Sequence, residues 1–451
     1  MGSILDVYPE YRKTVRLDEL RATEYGYLDE QDQVYLDYTG AGLAARTQYR
    51  AHEKRLRRSP FGNPHSINPT SKASTKLVEL ARARVLKHLN ARMRFVLTFD
   101  NHNSVNGIRE FARRRHARTV YVPAQAPELR VNTAALVSAL SRRRRLFRPA
   151  SSCRNGLFAF PAQSNFSGVR HPLSWVSLAQ ERGYDVLLDA AAYLPTGTLD
   201  LSTVKPEFVI LSWYKLFGYP TGLGCLIARR DALERLARPW FSGGTIQDVN
   251  VGIQRHTMAP NESAFEDGTL NFLSIPDVHF GLDWLADIGM PLIETRVRCL
   301  TGWFLDRLKH LEHSDGRPMV RIYGPTSTKM RGGTVCFNFL DAKGKVIDER
   351  LVDIDAAMMR ISLRTGCFCN PGGAEDAFGL DVAALRPLRR RRPSSMDEYV
   401  QLVGLPSAGA IRVSFGLAST AADVDRFIVF AEKTYQDRVT TTDGLPPRGH
   451  C

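Results

Sequence analysis

The sequence has no apolar run long enough to cross a membrane, and its N-terminus, MGSILDVYPEYRKT, lacks the apolar core of a signal peptide. We therefore expect a cytoplasmic protein that makes no membrane contact. Cysteines are few, seven among 451 residues. Their number is odd and no secretory signal accompanies them, so they indicate free thiols rather than a disulfide framework.

Acidic side chains are fewer than basic ones: 47 against 61, for a net charge of +14. Much of the excess lies in four arginine runs, at Arg57–Arg58, Arg113–Arg115, Arg142–Arg145 and Arg389–Arg392. Aromatic residues are not interleaved with these runs, as stacking on single-stranded nucleic acid would require. We interpret the runs as solvated loops and helix faces, and we do not expect a nucleic-acid partner.

Short apolar runs alternate with helical patterns through the first two thirds of the chain. The predicted strands are Val34–Tyr38, Phe95–Thr98, Thr119–Val122, Leu157–Pro161, Val186–Leu188, Phe208–Leu211 and Gly224–Ala228. Helical patterns at 44–58, 71–89, 105–115, 131–140 and 172–182 lie between them. This alternation predicts an α/β fold, with a mostly parallel sheet covered by helices on both faces.

The remainder of the chain mixes strands and helices more loosely, as in a smaller α+β domain. A long helical region is predicted from about Asp277 to Leu311, and the segment GAIRVSFG is predicted to be a strand. We divide the chain into four parts. They are an N-terminal arm that contributes to the small domain (1–44), a large domain (45–290), a small domain with a cysteine loop (291–437) and a disordered tail (438–451).

Two neighbouring predicted strands each end in an ionisable residue. Asp189 follows the run Val186–Leu188, and the run Phe208–Leu211 leads into SWYKLFGYPTGLG, which contains Lys215. In parallel sheets, ligands bind at the carboxyl ends of the strands. Burial there lowers the pKa of a lysine from about 10.4 and favours Schiff-base chemistry, and a nearby acid suits pyridoxal phosphate. The two residues alone leave open a surface lysine or an ordinary buried Asp–Lys ion pair.

Several longer segments resemble one superfamily. They are YLDYTGAGL, FGNPHS, NHNSVNGIREFA, LLDAAAYLPTGTLDLS, FVILSWYKLFGYPTGLGCLI, FSGGT, FEDGTLNFLSI, LRTGCFCNPGG and GAIRVSFGLAST. The chain resembles the class V aminotransferase and cysteine desulfurase superfamily from about Val34 to Glu432. Its likeness is strongest to the N-terminal desulfurase domain of eukaryotic molybdenum cofactor sulfurases. The resemblance implies the pyridoxal-phosphate-dependent transferase fold of type I and a homodimer with shared sites.

The resemblance also implies a set of cofactor-binding residues. These are Lys215 for the Schiff base, Asp189 for the pyridine nitrogen, His102 for stacking on the ring, Asn165 for the phenolic oxygen or the substrate, Ser212 and Tyr214 for the phosphate, and Thr269 for the phosphate of a neighbouring subunit. Without the resemblance, His102 is equally explained as a structural histidine and Asn165 as a turn residue. No metal site is expected.

The implied substrate is L-cysteine or a similar amino acid. Arg412, inside an apolar strand pattern, offers two parallel donors for a carboxylate, the alternative being a solvated edge arginine. Cys369 is implied to carry a persulfide, with Cys367 secondary. The glycines around Cys369 predict a flexible loop, and the nearby Arg364 favours a thiolate. A buried structural cysteine and a metal ligand are the alternatives, although two thiols make a poor zinc site.

One departure from the family bears on the cofactor. Relatives have a further strand–turn–helix unit that binds the cofactor phosphate, and here it is expected to be missing near residue 91. Losing its hydrogen bonds, each worth about 1.5–3 kcal/mol, would weaken cofactor retention by orders of magnitude. This leaves a weakened enzyme, a non-catalytic homologue that has lost pyridoxal phosphate, or an incomplete gene model.

Two enzymatic functions follow from the resemblance. The first is a cysteine desulfurase that moves sulfur from L-cysteine through Cys369 to an acceptor, such as the molybdenum cofactor or a protein, and leaves alanine. The second is a class V aminotransferase or lyase of specialised metabolism, in which Lys215 is required and Cys369 is not.

Overall fold

The computed structural model describes residues 2–64, 68–89, 100–114, 119–141, 156–236, 238 and 240–448. Its strands in these ranges are β1 (Val34–Tyr35), β2 (Ala124–Gln125), β3 (Arg130–Val131), β4 (Gly156–Pro161), β5 (Tyr184–Asp189), β6 (Phe208–Ser212), β7 (Gly224–Ala228), β8 (Ile246–Asn250), β9 (Arg255–Met258), β10 (Val320–Tyr323), β11 (Thr334–Phe339), β12 (Ile361–Ser362), β13 (Arg364–Gly366) and β14 (Ala410–Ser414). They form two four-stranded sheets and three short pairs.

The α-helices cover both ends and the middle of the chain. They are Ile4–Val7, Val15–Glu24, Tyr27–Glu30, Arg46–Arg58, Pro69–Leu89, Asn103–Asn106, Ile108–Arg114, Thr133–Leu140, Trp175–Gln180, Trp213–Phe217, Arg230–Leu233, Ile275–Ile288, Met290–Lys309, Glu349–Met358, Pro371–Ala377, Met396–Val403 and Ala421–Tyr435. Short 3₁₀ segments lie at Pro9–Thr14, Asn261–Phe265 and Arg386–Arg389. Of the helices described, none is both long and apolar enough to span a lipid bilayer.

The larger sheet has the order β4-β5-β6-β7. Strands β4, β5 and β6 are parallel, and β7 runs antiparallel to β6 at the edge. Asp189 closes β5, where it pairs with Pro161 on one side and Ile210 on the other. Strand β6 continues two residues beyond Ile210 and ends at Ser212. The last residues of β5 and the start of the helix that carries Lys215 therefore lie at one edge of the sheet.

The smaller sheet is antiparallel, in the order β10-β11-β14-β13. Arg412, near the middle of β14, lies opposite Cys336 of β11 and Arg364 of β13. Strand β14 therefore has a neighbour on each side, and the alternative of a solvated edge arginine is wrong. A bridge between Asp37 and Ser414 also joins the start of the chain to the end of β14.

The predicted fold class is confirmed: the chain is α/β, with three parallel strands in its larger sheet. Several predicted elements differ. Residues 119–122 are not a strand, the strand predicted over 34–38 is limited to Val34–Tyr35, and the strand predicted at 95–98 lies outside the described residues. The long helical region from about Asp277 is two helices, since Gly289 takes a φ of +91° between them.

The N-terminal segment, expected as a polar arm, contains helices tied to the end of the chain. Arg21 pairs with Asp423 at 3.0 Å, and the fully buried Arg296 pairs with Asp18 at 2.7 Å. At the other end, Arg448 pairs with Glu349 at 2.8 Å, inside the predicted tail. The division into domains itself stays a prediction.

Candidate active site

Lys215 lies on the short helix Trp213–Phe217, directly after β6. Trp213, Leu216 and Phe217 of this helix are buried, which leaves Lys215 half-buried and lining a cleft. Burial lowers the pKa of Lys215 below its ordinary value, and the nearby Asp189 opposes that shift. The neutral amine that Schiff-base chemistry requires is thus favoured.

A glycine-containing loop packs directly against the Lys215 helix. The Gly42 N–H donates to the Tyr214 carbonyl at 2.9 Å. A Cβ added at Gly42 would lie 2.9 Å from the Lys215 carbonyl oxygen, so a larger residue does not fit without movement. The backbone of this loop therefore approaches the lysine helix closely.

Asp189 is buried at the end of β5, and its Oδ1 accepts the N–H of Ala191 at 2.9 Å. Burial raises the pKa of Asp189, and the charges of Lys215 and His102 oppose that shift. The Asp–Lys pair and the imidazole therefore lie within electrostatic reach of one another, as the sequence predicts. We call the residues His102, Asp189 and Ser212–Lys215 the lysine edge.

His102 is half-buried and begins the helix Asn103–Asn106. Its Nδ1 accepts the N–H of Ser104 at 3.2 Å, so the ring caps that helix. Burial lowers the pKa of His102, and the charge of Lys215 lowers it further. The imidazole is held neutral at the lysine edge, and its capping role accounts for the ring's fixed position. Stacking on the cofactor stays a prediction.

Arg412 is buried and points its guanidinium at an acid. Its Nη2 donates to Oδ1 of Asp37 at 2.8 Å, and its Nη1 donates to the Asn165 carbonyl at 3.1 Å. The guanidinium also lies 4.6 Å from the centroid of the Phe368 ring. The fork that is predicted to bind a substrate carboxylate is thus engaged by Asp37, which also lies 3.7 Å from the exposed Arg364.

The segment Cys367–Asn370, which we call the cysteine turn, is held rather than free. Phe368 and Cys369 both have a positive φ, +58° and +53°. Cys369 is a free, half-buried thiol, and it lies within electrostatic reach of Lys215. Cys367, in contrast, is disulfide-bonded, so the expectation of free thiols is wrong at that position.

Asn165 is buried, and its side chain forms hydrogen bonds with the cysteine turn. Its Nδ2 donates to the Phe368 carbonyl at 2.8 Å, and its Oδ1 accepts from Nδ2 of Asn370 at 3.0 Å. Of the residues predicted for the phosphate, Ser212 and Tyr214 are half-buried at the lysine edge. Thr269 is exposed and is not among the described residues that line the Lys215 cleft.

Sequence reasoning missed three residues of the site: Asp37, Asp100 and Asn370. Asp37 and Asp100 each follow a short apolar run, the same signal that identified Asp189. Asn370 precedes Pro371, an arrangement typical of a helix N-cap, and its Oδ1 accepts the N–H of Gly373 at 2.9 Å. These signals were present in the sequence, but they do not reveal which side chains meet.

Comparison with known proteins decides the family. A family model described as aminotransferase class-V matches residues 34–427. The chain belongs to the class-V aminotransferase family. Members of this family depend on pyridoxal phosphate. The lysine amine, buried carboxylate and neutral imidazole at the lysine edge fit that cofactor, since they supply a Schiff-base nitrogen, an acid for the pyridine nitrogen and a flat ring.

The chain is similar to two curated sulfurases in particular. It is 34% identical to the molybdenum cofactor sulfurase of Homo sapiens over 488 positions, which cover 96% of the chain and 53% of that protein. It is 33% identical to the molybdenum cofactor sulfurase of Arabidopsis thaliana, covering 94% and 58%. The chain thus spans little more than half the length of these relatives.

Solved structures that are similar to this chain confirm the predicted type I transferase fold. A cysteine desulfurase from Thermococcus onnurineus matches with a TM-score of 0.72 at 18% identity, over 92% of this chain and 97% of that one. A cysteine desulfurase from Escherichia coli matches with a TM-score of 0.68 at 20% identity, over 92% and 98%.

The predicted deletion near residue 91 falls among residues 90–99, outside the described residues. The alignment with the human relative is longer than the 451 residues of this chain, so that relative carries residues without a counterpart here. The alignment length does not locate them.

Proposed function

We propose that the protein is a pyridoxal-phosphate-dependent cysteine desulfurase that transfers sulfur from L-cysteine to Cys369. The observation that carries the proposal is the meeting of two chemistries at one site. A half-buried lysine with a lowered pKa lies within electrostatic reach of both a buried acid, Asp189, and a free thiol, Cys369. An aminotransferase needs the lysine and the acid, but it has no use for the thiol.

Arg412 is the proposed binding residue for the substrate carboxylate. Its guanidinium is buried, and an arginine fork matches a carboxylate with two parallel hydrogen bonds. In the free protein Asp37 supplies the negative charge, at 2.8 Å from Nη2. A cysteine carboxylate takes over this position, which places the substrate between the lysine edge and the cysteine turn.

The sulfur transfer balances without an external oxidant. The Cys369 thiolate attacks the substrate sulfur, so that a sulfur–sulfur bond forms while the substrate carbon–sulfur bond breaks. The electron pair of the broken bond stays on the substrate carbon, and protonation there gives alanine. When bound, pyridoxal phosphate supplies the electron sink that this cleavage requires. Lys215 takes the α-proton on Nζ and returns it to the α-carbon after the carbon–sulfur bond has broken, and its lowered pKa suits that task.

The proposed acceptor of the persulfide sulfur is the molybdenum cofactor or a protein. The support for the former is the similarity to two molybdenum cofactor sulfurases along nearly the whole chain. Ser212 and Tyr214 are the proposed phosphate ligands within this chain, and Lys215 would hold the cofactor covalently until substrate binding frees its Nζ.

A homodimer is the proposed assembly, with Thr269 reaching the phosphate of the other copy. Thr269 is exposed, and the N–H of its neighbour Gly268 donates to the Gly243 carbonyl at 2.8 Å. Large exposed apolar side chains lie on the β8–β9 hairpin and on the segment before it: Trp240, Phe241, Val249, Val251 and Ile253. A second copy of this chain would cover them. Sedimentation tests this: Val251→Asp, at a side chain 90% exposed, shifts the dimer toward monomer.

Three proteins, each mixed with pyridoxal phosphate and L-cysteine, test the function: wild type, Lys215→Ala and Cys369→Ala. The proposal predicts a visible cofactor band and alanine release for the wild type. Lys215→Ala loses both, whereas Cys369→Ala keeps the band and loses alanine release. A Cys369→Ala protein that still consumes amino acid points to an aminotransferase or lyase. A wild type without the band points to a homologue that has lost the cofactor.

A further inference from the structure

Asp100 is a buried carboxylate in contact with three side chains. Its Oδ1 accepts from Nδ2 of Asn370 at 2.7 Å and from Oγ of Ser164 at 3.1 Å. Its Oδ2 lies 3.3 Å from Nε2 of His171. A hydrogen bond to a carboxylate is stronger than one between neutral groups, so the bond from Asn370 to Asp100 is a strong polar link between Asp100 and the cysteine turn.

The segment Asp100–Asn103 holds the cysteine turn at a second point as well. The backbone N–H of Asn103 donates to the Cys369 carbonyl at 2.7 Å. His102 lies between these two anchors and belongs to the same segment. The histidine of the lysine edge and the thiol of the cysteine turn are therefore placed by one stretch of chain.

The cysteine turn needs such anchors because its backbone is strained. Phe368 and Cys369 are consecutive non-glycine residues with a positive φ, a conformation that persists only when the surroundings impose it. Gly366 before the turn, with a φ of +110°, and Gly372 and Gly373 after it offer little resistance to rearrangement. The disulfide at Cys367 holds one end of the turn, so loss of the polar contacts at the other end would let the backbone around Cys369 relax away from Lys215.

We propose that Asp100 is a positioning residue for sulfur transfer: through Asn370 it locks the turn that carries Cys369 in the geometry for attack. The proposal rests on the role proposed above for Cys369. Asp100 itself touches neither substrate nor cofactor in this arrangement. Its effect is on the placement of the thiol, since Arg412 keeps its own hydrogen bonds to Asp37 and to the Asn165 carbonyl.

Three variants test the link. Asp100→Ala removes the carboxylate, and Asp100→Asn keeps an oxygen that accepts from Asn370. Asn370→Ser severs the link from the other side while it keeps a good N-cap for the helix Pro371–Ala377. His171→Gln is the matched control, because it alters the contact to the other oxygen of Asp100 and the stacking on Trp175 but leaves the bond between Asp100 and Asn370 in place. Each full-length protein is measured with pyridoxal phosphate present.

Two readouts separate positioning from a general structural role. Alkylation of Cys369 by iodoacetamide, followed by peptide mass spectrometry, is expected to accelerate at least about tenfold in Asp100→Ala and Asn370→Ser. Their kcat for alanine release is expected to fall at least about tenfold, with KM for L-cysteine within about twofold of wild type. His171→Gln is expected to resemble wild type in both, and Asp100→Asn, which keeps an accepting oxygen but loses the charge, is expected to change both in the same direction as Asp100→Ala and by less.

Unchanged alkylation in Asn370→Ser overturns the proposal, and so does an equal effect in His171→Gln. Should Asp100→Ala fail to fold, Asn370→Ser decides together with Asp100→Asn, since Asn370→Ser also removes the bond between Asn370 and Asn165, whereas Asp100→Asn leaves that bond in place. An Asp100→Asn protein identical to wild type then overturns the proposal. If the wild type releases no alanine while the variants still expose Cys369, the desulfurase function fails and the anchoring by Asp100 stands.

Discussion

The lysine edge and the cysteine turn meet at one site but are built differently. At the lysine edge, β5 and β6 place Asp189 and Lys215 within 26 residues of chain, through the register of adjacent parallel strands. The cysteine turn is placed by side-chain hydrogen bonds between residues 203 to 270 positions apart. Backbone pairing fixes the lysine edge, whereas a few polar contacts hold the cysteine turn. A single substitution therefore displaces the cysteine turn more easily than the lysine edge.

The largest expected effect is at the lysine edge. Lys215→Ala is expected to lower alanine release by at least about a thousandfold, because the group that moves the α-proton is removed. Steady-state kinetics and the absorbance of the cofactor measure this. Lys205→Ala is the matched control: Lys205 is exposed in the loop between the same two strands, and its loss is expected to change neither. Equal losses in the two variants would contradict the proposed role.

A smaller effect is expected at Arg412, which is proposed to bind the substrate carboxylate between the lysine edge and the cysteine turn. Arg412→Ala is expected to raise KM for L-cysteine about 10- to 100-fold, since charge-assisted hydrogen bonds to the carboxylate are lost. Arg364→Ala, at the exposed neighbour on β13, is expected to change KM no more than about fivefold. A similar KM in both variants would show that Arg412 does not bind the substrate carboxylate.

Asp37→Asn is the converse change at the same place. It removes the carboxylate that engages the Arg412 guanidinium at 2.8 Å, so the substrate no longer displaces a charged partner. KM for L-cysteine is expected to fall below that of the wild type. A raised KM would show instead that Asp37 orients the guanidinium for the substrate.

Packing at the lysine edge gives a third, more modest effect. Gly42→Ala is expected to destabilise the protein by about 1–3 kcal/mol and to weaken the cofactor band, because the new Cβ meets the Lys215 carbonyl at 2.9 Å. Thermal unfolding and absorbance are the measurements. Gly107→Ala, where the nearest atom is 3.5 Å away and φ is −56°, is the control. A Gly42→Ala protein as stable as Gly107→Ala would show that the loop is free to shift.

The smallest expected effect is a pH dependence beside the cysteine turn. Burial raises the pKa of Asp376 to about 7, and the charges of Asp100 and Glu375 add to it. Between its ordinary pKa and this value the folded state holds a proton that the unfolded state has lost. The contribution of Asp376 to stability is therefore lost as the pH rises through about 7.

Hydrogen exchange of the helix Pro371–Ala377 measures this dependence. Exchange is expected to quicken from about pH 5 to about pH 8 beyond the intrinsic rate, and Asp376→Asn is expected to remove the excess. Glu207, whose pKa burial also raises to about 7, lies at the start of β6. Glu207→Gln is expected to leave exchange in this helix unchanged, and an effect there would mean that the two regions unfold together.

The lysine edge was predictable from the sequence because its signals are local. Apolar runs identified β5 and β6, and the ionisable residues at their ends identified Asp189 and Lys215. The strand that carries Arg412 was predicted in the same way. The family resemblance added the roles of these residues, which the apolar pattern alone left open.

The cysteine turn was not predictable in the same sense. Its glycines indicate a flexible loop, yet contacts with Asp100, Asn103 and Asn165 hold it. Those contacts join distant parts of the chain, and no periodic pattern reports them. The N-terminal helices were missed for a related reason: Arg21 and Arg296 are buried by ion pairs, and a polar sequence does not reveal that burial.

The most direct test of the joint action of Lys215 and Cys369 is the mass of the peptide that contains Cys369. The protein is incubated with pyridoxal phosphate and L-cysteine, alkylated, digested and analysed without reductant. This peptide is expected to gain one sulfur atom in the wild type and none in Lys215→Ala. A wild-type peptide without added sulfur, or added sulfur that survives Lys215→Ala, would contradict the proposed joint action.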